Sequence, residues 1–269
     1  MESLWKARVE PVRSADTVRV VLEPTEYLEL LRNDLDAIAA TPAAALGEPV
    51  AACPGWTVAD LLGHHEGVLR FATAQLQAAP GSDMAPFDPP DEDVDRVEAF
   101  AAAADRLYEE LLVVDPAEHR PNWAAEDHSG FWFRRMAQEA VVHRWDVQAA
   151  HTDPDPIDPA LAVDGVDELA DVFLSQAKRR GITGGGETVH LHATDDDLAD
   201  RGLAEGAGEW MFTFTAEGVD VEHAHGKGDM AVRGPASDLL LFVWNRRPIE
   251  VQTFGDTDPL AWWPAKVRI

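Results

Sequence analysis

Apolar residues recur at helical spacing through the first half of the chain. Leu28, Leu31, Leu35 and Ile38 share one face and predict a helix over about 25–40. Pro42 and the Gly and Pro of 47–49 then break the pattern. In CPGWTVADLLGHHEGVLRFATAQLQAA, Pro54 and Gly55 make a turn, and Thr57 with Asp60 three residues on forms a helix start. Val58, Leu61, Leu62, His65, Leu69 and Ala72 continue this second helix until near Pro80. A third helix is predicted over about 94–114, with Val97, Phe100, Ala104, Leu107 and Leu111 on one face. A fourth runs over about 129–150. Four helices joined by loops predict a helix bundle. The Pro- and Asp-rich stretch 80–93 between the second and third is a lid or a solvated connection.

The period then changes. HTDPDPIDPA, with Pro154, Pro156 and Pro159, is a semi-rigid linker. Residues 160–180 continue as a helix that ends near Gly181, and the glycines of 184–186 are a break. Alternating runs at 188–194, 210–218, 219–225, 230–234 and 249–255 predict strands, with a helix at 237–244 between the last two. The expected fold class is therefore α+β with two domains. A short N-terminal arm at 1–24, where VRVVLEP could form a strand, precedes a helix bundle at 25–152, and a smaller α+β domain follows at 160–269.

Composition narrows the function classes. The chain has 269 residues, 46% of them hydrophobic, enough to bury a sizeable core. No run reaches the roughly 20 apolar residues of a membrane span, and the first residues lack a signal-peptide core. Cys53 is the single cysteine, which excludes a disulfide framework and a cysteine-rich zinc site. These features predict a cytoplasmic location. With 49 acidic and 22 basic residues the formal net charge is −27, a surface that repels nucleic-acid phosphate and anionic membrane.

Candidate chemistry centres on Glu139 and His143 in MAQEAVVHRWD. At i and i+4 they share a helix face. His64, from another helix, would complete a set of two histidines and one glutamate, the ligand type of zinc sites that keep a position open for chemistry. By spacing alone the signal is weak, since Glu and His at i and i+4 occur on many helices and are often only a surface ion pair. His65 rivals His64, but one residue is about 100° around a helix, so both cannot point into one site; His65 fits a helix contact instead. Asp146 could orient a ligand from behind or sit on the helix surface. His190 and His192 share one face of a predicted strand, as do His223 and His225, which is either a second metal site or half-exposed strand histidines. Cys53 fits a buried small residue, and Trp56 and Trp145 fit core or pocket walls.

CPGWTVADLLGHHEG, EAVVHRWDVQAA and VRGPASDLLLFVWNRR together resemble the mycothiol-dependent maleylpyruvate isomerase family, in the same order over about 25–255. The resemblance implies a DinB-like four-helix bundle holding a divalent metal, usually zinc, and a C-terminal domain similar to sterol carrier protein folds. It places the family's ligands on His64, Glu139 and His143. The family's supporting arginine, which usually follows a glycine after the last helix, falls on Arg246, with Arg247 as rival; here Asn245 stands in place of the glycine.

The activity implied is addition of the mycothiol thiolate to a small electrophile, an unsaturated acid such as maleylpyruvate, giving isomerisation or thiol transfer. A pocket between the two domains is expected, with Arg246 holding a carboxylate or a developing enolate. Two other functions compete. One is a metal-dependent hydrolase with water at the open position. The other is a binding protein whose metal is closed by a fourth side chain such as His65 or Asp146.

Overall fold

The computed structural model describes residues 22–89, 94–124, 128–204 and 206–268. The arm at 1–24, with its possible strand, and the last four residues of the 80–93 loop lie almost wholly outside the described residues. The chain divides into two compact units, residues 23–155 and 156–268.

Unit one is helical. Its helices are α1 (Pro24–Ala39), α2 (Val58–Gln77), α3 (Arg96–Val113) and α4 (Gly130–Ala149). α1 packs on α4 and α3, and α2 packs on α3 and α4. Leu31, Leu35, Leu61, Leu62, Leu69, Phe100, Leu107, Trp132 and Phe133 form the core, all essentially inaccessible. α4 is buried on nearly every side from Phe131 to Val147, including its charged residues Arg135, Arg144 and Asp146. A buried charge is tolerated only when paired, and Arg144 donates from Nε to Asp34 Oδ1 at 2.9 Å, tying α4 to α1. Burial works to raise the Asp34 carboxyl, against the opposing pull of Arg144.

The segment before α2 is built by the CPGWT motif. Trp56 N–H donates to Cys53 C=O at 2.9 Å, closing a four-residue turn. Pro54 follows Cys53, and Gly55 at φ +90° supplies the positive φ this turn type requires. Thr57 then caps the helix: its Oγ1 accepts from Asp60 N, and Asp60 Oδ2 accepts from Thr57 N at 2.8 Å. Cys53 is half-buried in this turn rather than a core residue. After α2, residues 81–89 fold back along the helix. Gln75 bonds both N–H and C=O of Ala85, Phe87 rests on Phe71, and Asp88 pairs with Arg70.

Unit two begins with α5 (Pro159–Glu168). The single helix expected over 160–180 is three segments: α5, a π-helical turn at Leu169–Phe173 and a 3-10 stretch at Leu174–Arg180, ended by Gly181 in the left-handed region. β1 (Glu187–Ala193), β2 (Glu209–Thr215), β3 (Gly218–Glu222), β4 (Met230–Gly234) and β5 (Gln252–Gly255) form one sheet in the order β3-β2-β1-β4-β5, with β1 and β4 parallel and the other pairs antiparallel. Val189, Leu191, Trp210, Phe212 and Phe214 fill the core face. α6 (Ala236–Val243) and α7 (Pro259–Lys266) complete the unit.

α7 is not foreseen by the sequence pattern, because Pro264 sits inside it and reads as a helix breaker. The helix is held by burial of Trp263, whose Nε1 donates to Val243 C=O at 3.0 Å while its ring packs on Phe212, Phe214 and Phe242. The run 219–225 also departs from expectation. Pairing with β2 ends at Glu222, so His223 and His225 lie in the following loop, not side by side on a strand. Among the described residues no helix is long and apolar enough to cross a membrane.

Thr57→Ala removes the α2 cap and should lower stability by about 1 kcal/mol. Urea unfolding with an unchanged midpoint would show that the turn alone sets the helix start.

Candidate metal centre

Three side chains converge in unit one. His64 comes from the second turn of α2, and Glu139 and His143 come from the middle of α4. One ligand atom from each lies within 4.8 Å of the others, a group able to hold a metal ion. His143 Nε2 is 3.1 Å from Glu139 Oε1, and His64 Nε2 is 3.7 Å from the same oxygen. The His64 and His143 rings meet nearly at right angles, 5.6 Å apart. Trp56, presented by the CPGWT turn, lies against His64 at 5.1 Å.

Each α4 ligand is held from behind. His143 Nδ1 is 3.1 Å from Asp146 Oδ2, which orients the ring so that Nε2 faces inward. Arg135 Nη2 donates to Glu139 Oε2 at 2.7 Å, leaving Oε1 toward the two histidines. Arg135 escapes sequence reasoning, although the signal is there: it stands four residues before Glu139 on the same face, as Glu139 stands before His143.

His65 points elsewhere, as its position around the helix requires. It packs on Phe100 with ring centroids 5.2 Å apart and on His143 at 5.3 Å. It is fully buried, and neither of its nitrogens has a hydrogen-bond partner among the described residues. It lies outside the three-residue group. Asp146 is engaged with His143 Nδ1 and does not join the group either.

Electrostatics sharpen the roles. Burial pushes the Glu139 carboxyl up, but His143, His64 and Arg135 outweigh it and hold the pKa well below the ordinary value. Burial works against a charged His143, yet Glu139 and Asp146 lift its pKa to about 9. Burial drives His65 the other way, well below 6.5, and the neighbouring His143 adds to that shift. These shifts favour a Glu139 carboxylate paired with a His143 imidazolium, and a neutral His65 packed against them.

Arg246 lies in unit two, just after α6. Asn245 takes the left-handed conformation at φ +62°. Its N–H donates to Phe242 C=O, and Arg246 N–H donates to Leu241 C=O, which together close α6 with a Schellman turn. The Arg246 guanidinium donates to Trp244 C=O at 2.8 Å. Arg247 stacks over the Phe242 ring at 5.4 Å and donates to Arg246 C=O at 2.6 Å.

Two family models match the chain. "Mycothiol maleylpyruvate isomerase N-terminal domain" matches residues 28–148, and the C-terminal domain of the same family matches residues 160–265. The chain belongs to the mycothiol-dependent maleylpyruvate isomerase family. That family is named for an enzyme and for its dependence on mycothiol. Two crystal structures share its fold with this member: the mycothiol-dependent maleylpyruvate isomerase and a histidine-to-alanine mutant of it, with TM-scores of 0.54 and 0.53. Each is 14% identical to this chain, and each match covers 88% of this chain and 96% of the other. No curated protein matches the sequence.

The His143 shift sets a sign for stability against pH. A folded pKa of about 9 lies above the unfolded value of 6.5, so this stabilisation is complete below pH 6.5 and is lost as pH rises through 9. His65, depressed, contributes in the opposite sense: its stabilisation is present above 6.5 and is lost as pH falls below it. Chelator-stripped protein should therefore lose roughly 2 kcal/mol between neutral pH and pH 9. His143→Gln should flatten that limb in urea titrations. An unchanged alkaline limb in the variant would remove His143 as its cause.

Proposed function

We propose that this family member is a mycothiol-dependent enzyme, an isomerase or a thiol transferase, whose divalent metal is held by His64, Glu139 and His143. The observation that carries this reading is the convergence of those three side chains in a chain of this family. The donor set fits: two imidazole nitrogens and a carboxylate oxygen suit zinc and its borderline neighbours better than magnesium or calcium. Zinc–nitrogen bonds of about 2.0–2.1 Å place tetrahedral ligand atoms roughly 3.4 Å apart. The separations of 3.1 and 3.7 Å bracket that value. Three protein ligands leave a position open. Such a metal supplies a centre that keeps a bound thiol in its thiolate form near neutral pH.

The chain's own residues do the rest. Asp146 and Arg135 fix the inward atoms of His143 and Glu139, so that ligation requires little rearrangement. His143 would have to give up its proton to serve as a ligand, so metal affinity should rise with pH. The reaction class is reversible thiol addition to an activated double bond. Addition turns that bond into a single bond that rotates, and loss of the thiol completes an isomerisation; retention of the thiol makes the reaction a transfer. The substrate is a small electrophile, an unsaturated acid among the candidates.

Arg246 is the proposed partner for a substrate carboxylate. In a chain of net charge −27 an anion needs a local cation to bind. Asn245 supports Arg246 over Arg247. It adopts the left-handed conformation for which the family's usual glycine is suited, so the glycine's replacement keeps the register and Arg246 remains the residue after it. The four packed helices support the DinB-like bundle, and the mixed sheet with its helices supports the likeness of unit two to sterol carrier protein folds. A reduced cytoplasm suits an enzyme that uses a free thiol and carries one cysteine.

His64→Ala with His143→Ala should take zinc content at that site from about one equivalent to near zero and abolish thiol-dependent turnover. Activity that survives metal loss overturns the reading, and turnover without thiol points to a hydrolase. Arg246→Ala should cut kcat/KM by on the order of 100-fold with metal still bound. A larger loss in Arg247→Ala would move the role to that residue.

A further inference from the structure

A second group of metal-ligand side chains lies in unit two, with no residue in common with the first. His190 and His192 stand two apart on β1, so they share a face, opposite the core side chains Val189 and Leu191. Glu209 opens β2 directly across from His192 in the antiparallel register and so lies on the same face. His225 reaches the group from the loop after β3. One atom of each of the four lies within 4.8 Å of the others.

The loop that carries His225 is pinned over β1. Asp229 Oδ2 accepts from both N and Oγ1 of Thr188 at 2.9 Å, and Asp229 N donates back to Thr188 Oγ1 at 2.8 Å. At Gly228 a Cβ would come within 3.0 Å of the His190 backbone nitrogen and 2.7 Å of Met230 O, so only glycine allows so close a crossing.

The polar geometry within the group is unusual for plain hydrogen bonding. A single oxygen, Glu209 Oε2, faces three imidazole nitrogens: His225 Nδ1 at 2.7 Å, His190 Nε2 at 3.0 Å and His192 Nδ1 at 3.4 Å. The three rings stand 5.7–6.2 Å apart with interplanar angles of 74–89°. They are splayed about one point rather than stacked. The separations reach the edge of a tetrahedron around a zinc-sized ion, roughly 3.4 Å, at His192 and fall short of it by about 0.4 Å at His190 and about 0.7 Å at His225, so the group is gathered slightly tighter than a loaded site.

We propose that His190, His192, Glu209 and His225 form a second metal site, which takes a zinc-class divalent cation and staples the loop after β3 to the sheet. Three imidazoles and one carboxylate select zinc, cobalt or nickel over magnesium and calcium. Four protein ligands close the coordination shell, which is the arrangement of a structural site and not a catalytic one. The surplus negative charge of the chain raises the local concentration of divalent cations. His190 is buried, whereas the His225 side chain is 78% exposed, so the loop side of the site is where the cation enters.

The test is equilibrium titration of the tag-free, chelator-stripped full chain with zinc, and with cobalt as a spectroscopic probe. The expected result is two tight equivalents in the parent protein. His64→Ala with His143→Ala should retain one, and its melting temperature should still rise on adding zinc. Adding His225→Ala to that background should weaken the remaining equivalent by more than about 100-fold and abolish the rise. His225 is largely exposed, so this variant keeps its fold. A chain lacking His64 and His143 that binds no zinc tightly overturns the second site and leaves the first intact. Persistence of both tight equivalents in His192→Ala with His225→Ala overturns it as well, since the second equivalent is then held by other residues. Failure of the catalytic reading instead appears as loss of thiol dependence with both equivalents present.

Discussion

The charge ladder along one face of α4 is the constraint on which unit one depends. Arg135, Glu139, His143 and Asp146 follow one another at intervals of four, four and three residues, with alternating formal sign when His143 is protonated. On a solvated helix such pairs contribute a few tenths of a kcal/mol each. Here the helix is buried almost all round, and any member left alone would carry a desolvation cost of several kcal/mol. The ladder is therefore kept whole or lost whole. Its arrangement also directs its free valences: with Oε2 of Glu139 on Arg135 and Nδ1 of His143 on Asp146, the remaining atoms Oε1 and Nε2 both face His64.

The rest of the unit brings His64 to that ladder. The tight turn at 53–56, with Gly55 in the left-handed region, and the Thr57–Asp60 cap fix where α2 begins. The start of a helix fixes the direction of every side chain along it, so His64 faces inward toward Glu139 while His65 turns into the core against Phe100. CPGWT contributes no residue to the three-residue group, but it sets the phase of the helix that carries His64. Sites built on rigid helices hold their side chains more closely than sites on loops; α2 is capped at Thr57, and α4 is buried nearly all round.

Much of this was legible in the chain. The helical periods put all four helices of unit one within a few residues of where they lie, because α1, α2 and α3 each carry an apolar face and the loops around α4 bound it. The pair on α4 and its partner on α2 were also visible, though spacing could not separate a site from an ion pair. Arg135 has the right spacing but carries no weight in the sequence, since an arginine on a helix is ordinarily a surface residue and only burial of the whole helix gives it a role. α7 was hidden by Pro264, where packing of Trp263 outweighs the local cost of a proline. The 160–180 run kept its helical pattern on paper while the backbone shifts to π and 3-10 turns, a change of hydrogen bonding that apolar spacing does not record.

The two histidine–glutamate groups show how the same residue types take different roles through their supports. On α4 and α2, three candidate ligands come from elements that packing holds fixed, and Asp146 and Arg135 fix the orientation of two of them, so a position left open would cost little order. On the sheet, three candidate ligands come from two adjacent strands and one from a loop that, among the described residues, pairs with no strand beyond Glu222. A loop gains order from every ligand it contributes, which makes a closed set of four the favourable arrangement there. His225 belongs to that set only because the chain crosses back over β1 at Gly228 and Asp229. Neighbouring histidines on a predicted strand were a misleading signal for the right reason: His223 turns instead to Asp167 at 2.9 Å, and His225 alone reaches the sheet face. Topology, not spacing, decides which of the two can ligate.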